Sequence, residues 1–211
     1  PPPAPPRRRP PRAPLWPSTT LFRSLPDIYL ASQSPRRQAL LQQLGIGFEL
    51  LAADVDETPL AGEPAGAFVT RVALDKARAG RARMPAGRQL PVLGADTCVV
   101  AEENIMGKPH GREHAIEKLQ RLSGTTHEVL SAVALAGTHE ALRVSTSRVT
   151  FRTLSAAECA AYWDTGEPAD KAGAYAIQGL AAVFVSHLAG SYSGVMGLPL
   201  YETDELLREF D

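Results

Sequence analysis

The chain has 211 residues, of which 44% are hydrophobic and 21% are charged, a composition that indicates a globular protein rather than a disordered or fibrous one. No apolar run approaches the roughly 20 residues that a membrane span requires, so we expect no membrane partner. The formal net charge is −1, but residues 1–24 contain five arginines and no acid, so the remaining residues carry −6, which argues against general nucleic-acid binding.

Proline and arginine dominate the start of the chain. Residues 1–17 contain nine of the 18 prolines and four arginines, and such a segment forms neither helix nor sheet and has little apolar surface to bury. We therefore predict a disordered tail over residues 1–26 and one folded domain over residues 27–211. A basic nucleic-acid-binding arm and a proline-rich recognition segment are alternative roles for this tail. Residues 19–24 also resemble the translation of a common sequencing-adapter oligonucleotide. A further interpretation is therefore that the tail is a sequencing or translation artefact.

The first predicted unit of the folded domain is a strand, a loop and a helix. A short apolar run at residues 28–31 indicates the strand, and apolar residues at helical spacing follow over residues 35–44. Ser34 suits the N-cap position, a proline follows at the first helical position, and Gly45 suits the end of the helix.

The charge at the start of this helix is unusual. The N-terminal turn of a helix favours acidic residues, yet this one begins with Arg36 and Arg37. Free backbone N–H groups, the hydroxyls of Ser32 and Ser34 and two guanidinium groups together predict an anion site, most simply for phosphate. The alternative is that both arginines are solvated surface residues.

A lysine marks the next predicted helix. Residues 48–52 are predicted as a strand, and an acidic turn containing Glu57 follows it. Residues 64–83 show helical apolar spacing, and Lys76 falls on the apolar stripe. A lysine in that position either snorkels outward to solvent or reaches into a cleft to meet an anion.

An aspartate interrupts the most apolar run of the chain, residues 90–101. Burial of an unpaired carboxylate costs several kcal/mol unless a cation or hydrogen bonds compensate. We therefore predict that Asp96 lies at the end of a strand and faces a cleft, with a metal or lysine nearby. The alternative is an aspartate that caps a turn at a bend. Lys108 follows shortly afterwards and is a further candidate cation.

Residues 110–114 spell H-x-x-E-H, the zinc-binding pattern of inverted zincins. That pattern must lie within a helix, whereas Pro109 and Gly111 place His110 at a helix entry at best. We therefore reject the zinc interpretation and predict a helix over residues 112–122.

The rest of the chain is predicted to add three strands and two helices. The strands are residues 126–136, 144–154 and 182–188, and the helices are residues 155–165, which open with a capping box, and residues 199–210. Between them, residues 170–179 are rich in small side chains, which allow a ligand to approach the backbone closely. A loop is expected up to Gly197. Neither of the two cysteines belongs to a CxxC pair, which suits a reducing cytoplasm.

The candidate residues combine carboxylates with several cations and lack a convincing Ser–His or Cys–His pair. This set suits metal-assisted phosphate chemistry better than acyl transfer. In such chemistry, carboxylates and the phosphates of the substrate hold Mg²⁺ or Mn²⁺, while lysines and arginines neutralise developing charge. The sequence contains neither a P-loop nor a dinucleotide-binding fingerprint.

Six short motifs then occur in a characteristic order along nearly the whole folded domain. They are ASQSPRR (31–37), GADT (94–97), GKP (107–109), LSG (122–124), DKAGAY (170–175) and IQG (177–179). Each motif alone is weak, but the ordered set resembles the Maf family of nucleoside triphosphate pyrophosphatases. The resemblance implies hydrolysis between the α and β phosphates, which yields the monophosphate and pyrophosphate and uses a divalent cation. It also implies an α/β fold with a mixed central sheet flanked by helices, in two lobes around a groove.

The resemblance also implies roles for individual residues. Asp96 matches the general base that activates water, and Glu57 matches a second acidic position, so that both are candidate ligands of Mg²⁺ or Mn²⁺. Arg37, Lys76 and Lys108 match cationic positions of the phosphate site.

The resemblance further implies that Arg36, Thr97 and Gln178 determine which base the enzyme prefers. Thr97 and the sequence AYAIQG are similar to the branch that acts on dTTP and UTP rather than the branch that acts on 7-methyl-GTP. The expected protein is a cytoplasmic pyrophosphatase of modified or excess pyrimidine nucleotides, and the resemblance suggests a homodimer. The alternative is a nucleotide-binding regulator, because this family is also associated with inhibition of septum formation.

Overall fold

A mixed sheet of seven strands forms the centre of the part of the chain that the computed structural model describes, residues 28–85, 87 and 89–210. The predicted tail lies outside these residues. The strands are β1 (Ile28–Leu30), β2 (Phe48–Leu50), β3 (Val92–Ala101), β4 (Asn104–Met106), β5 (Thr126–Ala136), β6 (Glu140–Phe151) and β7 (Val185–Ala189). Their order is β2-β1-β3-β5-β6-β7, and β4 pairs separately with β3. The β2-β1-β3 pairs are parallel and the other pairs are antiparallel, which confirms the predicted mixed sheet.

Helices flank this sheet. They are α1 (Pro35–Gln43), α2 (Ala65–Ala82), α3 (Arg112–Leu122), α4 (Ala156–Asp164), α5 (Tyr192–Met196) and α6 (Leu200–Arg208), with 3₁₀ turns at Ala172–Ala174 and Leu180–Phe184. None of the described helices is long and apolar enough to cross a membrane.

The helix α2 packs directly on one face of the sheet. Gly94 of β3 makes this approach possible, since a Cβ atom there would lie 2.2 Å from the carbonyl oxygen of Ala73 in α2. The opposite face packs against α1 and α6 through a core that includes Leu41, Leu206 and Val133. This close α2–β3 packing fixes which side chains of α2 reach the middle of β3.

A second core lies towards the far end of β5 and β6. The helices α3 and α4 pack there around Leu119, Phe151 and Tyr162. The two cores form the lobes that the family resemblance implies, and the groove between them contains the candidate site described below.

The strand β3 changes partner along one of its edges. It pairs with β1 up to Leu93 and with β4 from Val99 onward. Among the described residues, no strand pairs with that edge over residues 94–98, because β1 ends at Leu30 and the chain turns into α1. The sheet therefore opens in the middle of β3 rather than at its end.

This opening corrects the predicted position of Asp96. The residue lies within β3, paired across to Ala132 of β5, and does not end a strand. It nevertheless faces a cleft, because the neighbouring strand is missing beside it. The prediction failed because the partner change along β3 depends on where two distant strands stop.

Other boundaries differ less. The strand β6 spans Glu140–Phe151 rather than residues 144–154, and the predicted loop before Gly197 contains the short helix α5. Ser34 occupies the N-cap position of α1 without a side-chain capping bond. The capping box that opens α4 at Ser155 is confirmed, and α3 spans the predicted residues, so that His110 lies outside the helix.

Candidate active site

A cleft of about 380 Å³ lies at the opening in β3. The loop before α1, the turn after β2, α2, β3 and the segment that follows α4 all contribute to its walls. Every residue that the sequence analysis placed in a site lines this cleft: Ser32, Ser34, Arg36, Arg37, Glu57, Lys76, Asp96, Thr97, Lys108 and Gln178. Residues from distant parts of the chain are therefore brought to one place.

Lys76 joins the two acidic residues of the cleft. Its Nζ atom lies 2.9 Å from Oδ1 of Asp96 and 2.7 Å from Oε1 of Glu57. The lysine side chain is 8% exposed, so it does not snorkel to solvent, and that interpretation of its position on the apolar stripe is wrong. The Asp96 side chain is 9% exposed, and its burial is compensated by this lysine, as a buried carboxylate requires.

Glu57 is held in its ionised form by surrounding cations. Its partial burial would by itself raise the pKa, but the hydrogen bond from Lys76 and the charges of Lys76, Lys108 and Arg37 outweigh that effect, and the pKa lies below its usual value. Lys108 is largely exposed, with its Nζ atom 3.9 Å from Oε2 of Glu57. An exposed cation that lines the cleft is well placed to meet an incoming anion.

Arg37 is fixed in position by two hydrogen bonds. Its Nε atom donates to the carbonyl oxygen of Gly197 at 2.8 Å, and a terminal nitrogen donates to Oγ of Ser32 at 3.2 Å. Burial lowers the pKa of this arginine, while the nearby charge of Asp96 opposes the shift. Gly197 has a φ of 121°, a left-handed conformation that favours glycine, so a side chain there would strain the turn that receives Arg37.

Arg36 contacts a different part of the chain. It lies 3.9 Å from a carboxylate oxygen of Asp170, which in turn pairs with Lys171. The Nζ atom of Lys171 also donates to the backbone carbonyl of Glu167 at 3.0 Å. Arg36 and Arg37 are both partly buried with specific partners, so the interpretation of both as solvated surface residues is wrong.

Thr97 presents a neutral hydroxyl to the same cleft. Because successive residues of a strand point to opposite faces, Thr97 lies on the other side of β3 from Asp96. Its Oγ1 atom is 2.7 Å from Oγ of Ser131, and Ser131 donates to the carbonyl oxygen of Gly194 at 2.6 Å. The cleft thus extends around the open edge of β3, with the Asp96 carboxylate on one face of the strand and the Thr97 hydroxyl on the other.

Sequence reasoning missed three residues that shape the cleft. Ser131 is buried in the middle of β5, where one small polar residue in an apolar strand gives no signal of function. The sequence predicts Gly197 only as the end of a loop. Asp170 belongs to a quoted motif, but its pairing with Arg36 depends on the tertiary fold.

The carboxylates of Asp96 and Glu57 suit a divalent metal ion. Both bind the same ammonium group, so their oxygens already converge on one cation. Mg²⁺ is commonly held by one or two carboxylates together with substrate phosphates, and this pair supplies that number. Among the described residues, no group of three or more His, Cys, Asp or Glu side chains forms a complete metal site. The donor set therefore fits a metal that arrives with a phosphorylated substrate.

Comparison with known proteins agrees with the motifs. Residues 27–210 match the Maf-like protein family. A dTTP/UTP pyrophosphatase from Alkalilimnicola ehrlichii is 57% identical over 189 residues, which cover 88% of this chain and 94% of that protein. A dTTP/UTP pyrophosphatase from Methylococcus capsulatus is 56% identical over 182 residues, covering 86% of this chain and 89% of that protein.

Similarity to solved structures is weaker. A nucleoside-triphosphatase / dITP/XTP pyrophosphatase from Mycobacterium abscessus covers 59% of this chain and 72% of its own, with 20% identity and a TM-score of 0.39, too low to support an argument about function. The family match and the close relatives, by contrast, extend over nearly all of the predicted folded domain. This chain belongs to the Maf-like protein family.

Proposed function

We propose that this protein hydrolyses dTTP, UTP and modified pyrimidine triphosphates to the monophosphate and pyrophosphate. The observation that carries the proposal is the contact of the buried Lys76 with both Asp96 and Glu57 in the same cleft as Arg37. The names of the relatives specify the substrates. The alternative of a regulator without turnover is not favoured, because those relatives are named as enzymes.

In the proposed reaction, water attacks the α phosphorus. Asp96 accepts the proton from that water, the new bond forms between the water oxygen and the α phosphorus, and the bond from the α phosphorus to the bridging oxygen of the β phosphate breaks. Pyrophosphate leaves with the electron pair of that bond. Because Lys76 contacts Oδ1 of Asp96, the other carboxylate oxygen is the one assigned to accept the proton.

The cations of the cleft stabilise the charge that develops on the phosphates. Arg37 is held rigidly by Gly197 and Ser32, so it requires little reorganisation when the substrate binds. Lys108 is exposed and is proposed to contact the departing pyrophosphate. We propose that Asp96 and Glu57 hold Mg²⁺ or Mn²⁺, which when bound polarises the phosphoryl group and lowers the pKa of water.

Release of pyrophosphate from a panel of triphosphates tests this proposal. We expect turnover of dTTP and UTP with Mg²⁺ or Mn²⁺, equal amounts of monophosphate and pyrophosphate, and loss of turnover with EDTA that either metal restores. Release of inorganic phosphate and a diphosphate instead would show cleavage at the wrong bond. Saturable nucleotide binding without any product would support the regulator and overturn the enzymatic proposal.

A cytoplasmic location and a homodimer are parts of the same proposal. Both cysteines are free and buried, as is usual in a reducing compartment. Light scattering of the purified protein at several concentrations measures the oligomeric state, and a monomer at all of them would contradict the homodimer. Fractionation of cells that express the protein tests its location.

A further inference from the structure

The wall of the cleft that follows α4 is irregular backbone in a strained conformation. The residues of this cleft segment (170–178) that line the cleft are Asp170, Lys171, Ala172, Tyr175, Ala176 and Gln178. A short 3₁₀ turn at Ala172–Ala174 is its regular structure. Ala174 is fully buried with a φ of 59°, in the left-handed region that residues other than glycine rarely adopt. Such a conformation persists only where surrounding contacts hold it, so the cleft segment requires support from its neighbours.

The carboxylate of Glu167 ties the two ends of the cleft segment together. Glu167 precedes the segment, and its Oε2 atom accepts a hydrogen bond at 3.0 Å from the N–H group of Leu180, which follows the segment. Its Oε1 atom accepts a second one at 3.4 Å from the N–H group of Ala181. A side chain at position 179 is incompatible with this contact, because a Cβ atom on Gly179 would lie 2.2 Å from Oε2 of Glu167.

Tyr162 of α4 connects the same carboxylate to the middle of the cleft segment. Its buried hydroxyl donates to Oε1 of Glu167 at 2.6 Å and accepts from the N–H group of Ala176 at 3.1 Å. Partial burial would by itself raise the pKa of Glu167, but the hydrogen bonds that it accepts outweigh that effect and lower the pKa, so both oxygens are acceptors at neutral pH. Gln178 therefore lies between two backbone groups, those of Ala176 and Leu180, that Glu167 holds in place.

We propose that Glu167 is a positioning residue, and that its carboxylate fixes the cleft segment in the conformation that binds the substrate. This inference rests on the proposed function and deepens it. Glu167 does not itself line the cleft, so it acts through Tyr162 and the backbone. Asp96 and Lys76 lie on other elements, β3 and α2, so loss of Glu167 should weaken substrate binding and leave the chemical step nearly intact.

Steady-state kinetics of dTTP hydrolysis test this role. Glu167→Ala removes both acceptor oxygens, and we expect KM to rise at least about fivefold while kcat stays within about twofold. The matched control is Glu158→Ala, because Glu158 also accepts several hydrogen bonds, in the capping box at the opposite end of α4 and outside the cleft. Its loss should lower the free energy of unfolding and leave KM unchanged. An equal rise of KM in both variants would assign the effect to loosening of α4 and overturn the inference.

Tyr162→Phe tests the connection to Ala176. It removes only the hydroxyl and keeps the ring that packs edge-on against Phe184, so it decides the question even if Glu167→Ala does not fold. We expect KM to rise at least about twofold, with kcat nearly unchanged. Because both variants break the same chain of hydrogen bonds, the double variant should raise KM by less than the product of the two single effects. A full product would show that the two residues act separately and would contradict the connection.

Hydrogen exchange of the cleft segment, measured by mass spectrometry, gives a result that does not depend on turnover. Exchange there should be faster in Glu167→Ala and Tyr162→Phe than in the wild type, and unchanged in Glu158→Ala. If the wild type releases no pyrophosphate from dTTP, the proposed function fails, and the exchange still decides whether Glu167 fixes the segment. Exchange at the wild-type rate in both variants, or faster exchange with an unchanged KM in an active enzyme, would overturn the positioning role.

Discussion

The two faces of β3 contribute opposite chemistry to one cleft. On the face towards α2, Asp96 is paired with a lysine and is almost fully buried, so its charge depends on a fixed partner. On the other face, Thr97 joins a chain of neutral hydroxyl groups. Adjacent residues of one strand therefore present a charged group and a neutral group to different sides of one cleft, because the pleat sends their side chains in opposite directions. We expect substitutions on the first face to change rate and stability, and substitutions on the second to change substrate choice.

The largest effect is expected at Asp96. Asp96→Asn removes the proposed base but keeps the size of the side chain, so kcat should fall at least about 100-fold, within the usual range for loss of a general base. Steady-state pyrophosphate release from dTTP measures this change, and circular dichroism checks that the fold is intact. Near-wild-type turnover by the variant would remove Asp96 from the mechanism.

Lys76→Met should affect both stability and rate. The change leaves the buried carboxylate of Asp96 without its cation, and loss of one partner of a buried pair costs roughly 3–5 kcal/mol. Urea unfolding at pH 7 measures this free energy. Lys118→Met is the matched control, since Lys118 is a similarly buried lysine of α3 outside the cleft, and an equal loss there would argue against a special role for the carboxylate pair.

Lys108→Ala should act on kinetics alone. Lys108 is 64% exposed, so its loss should leave the unfolding free energy nearly unchanged. Loss of its contact with the phosphates should lower kcat/KM at least about tenfold, or about 1.4 kcal/mol. Arg112→Ala removes an exposed cation outside the cleft and should leave kcat/KM unaltered. Unchanged kinetics in Lys108→Ala would identify Lys108 as an ordinary surface residue.

The smallest effect concerns the pH dependence of stability at Glu57. Its pKa is lower in the folded protein than in the unfolded chain, so the unfolded chain binds the proton more readily. The resulting stabilisation is present above the unfolded value of about 4.3 and disappears as the pH falls through the folded pKa. Glu57→Gln should therefore lose less stability than the wild type between pH 6 and about pH 3. Glu103→Gln is the control, because it also removes one acidic side chain but lies in the exposed turn between β3 and β4, outside the cleft.

The sequence was sufficient to predict which residues meet in the cleft. The ordered motifs carried that prediction, together with the cost of burying Asp96 in an apolar run and the position of Lys76 on a helical stripe. The cost argument predicted a lysine or metal near Asp96, and Lys76 lies there. Local patterns also predicted the capping box at Ser155 and the extent of α3 correctly.

Features that depend on distant contacts could not be predicted in the same way. The opening in the middle of β3 arises because β1 and β4 pair with separate parts of one edge, which no local pattern specifies. Ser34 occupies the predicted N-cap position of α1, but its side chain makes no capping bond. Its N–H group donates to Oγ of Ser32 at 3.3 Å, in a loop that also supports Arg37. The hydrogen bond from Ser131 to Gly194 depends on α5, a helix too short to predict from periodicity.

The partner change along β3 also has a consequence for the order of folding. The strands β5 and β6 are joined by a short turn, and β3 pairs with β5 along most of its length, so these strands can assemble early through contacts of modest sequence separation. The strand β1 must instead find β3 across the whole segment that contains α1, β2 and α2. The loop that carries Ser32 and Arg37 follows β1, so the phosphate end of the cleft should form last. In refolding experiments, recovery of nucleotide binding should therefore lag behind recovery of β-sheet circular dichroism.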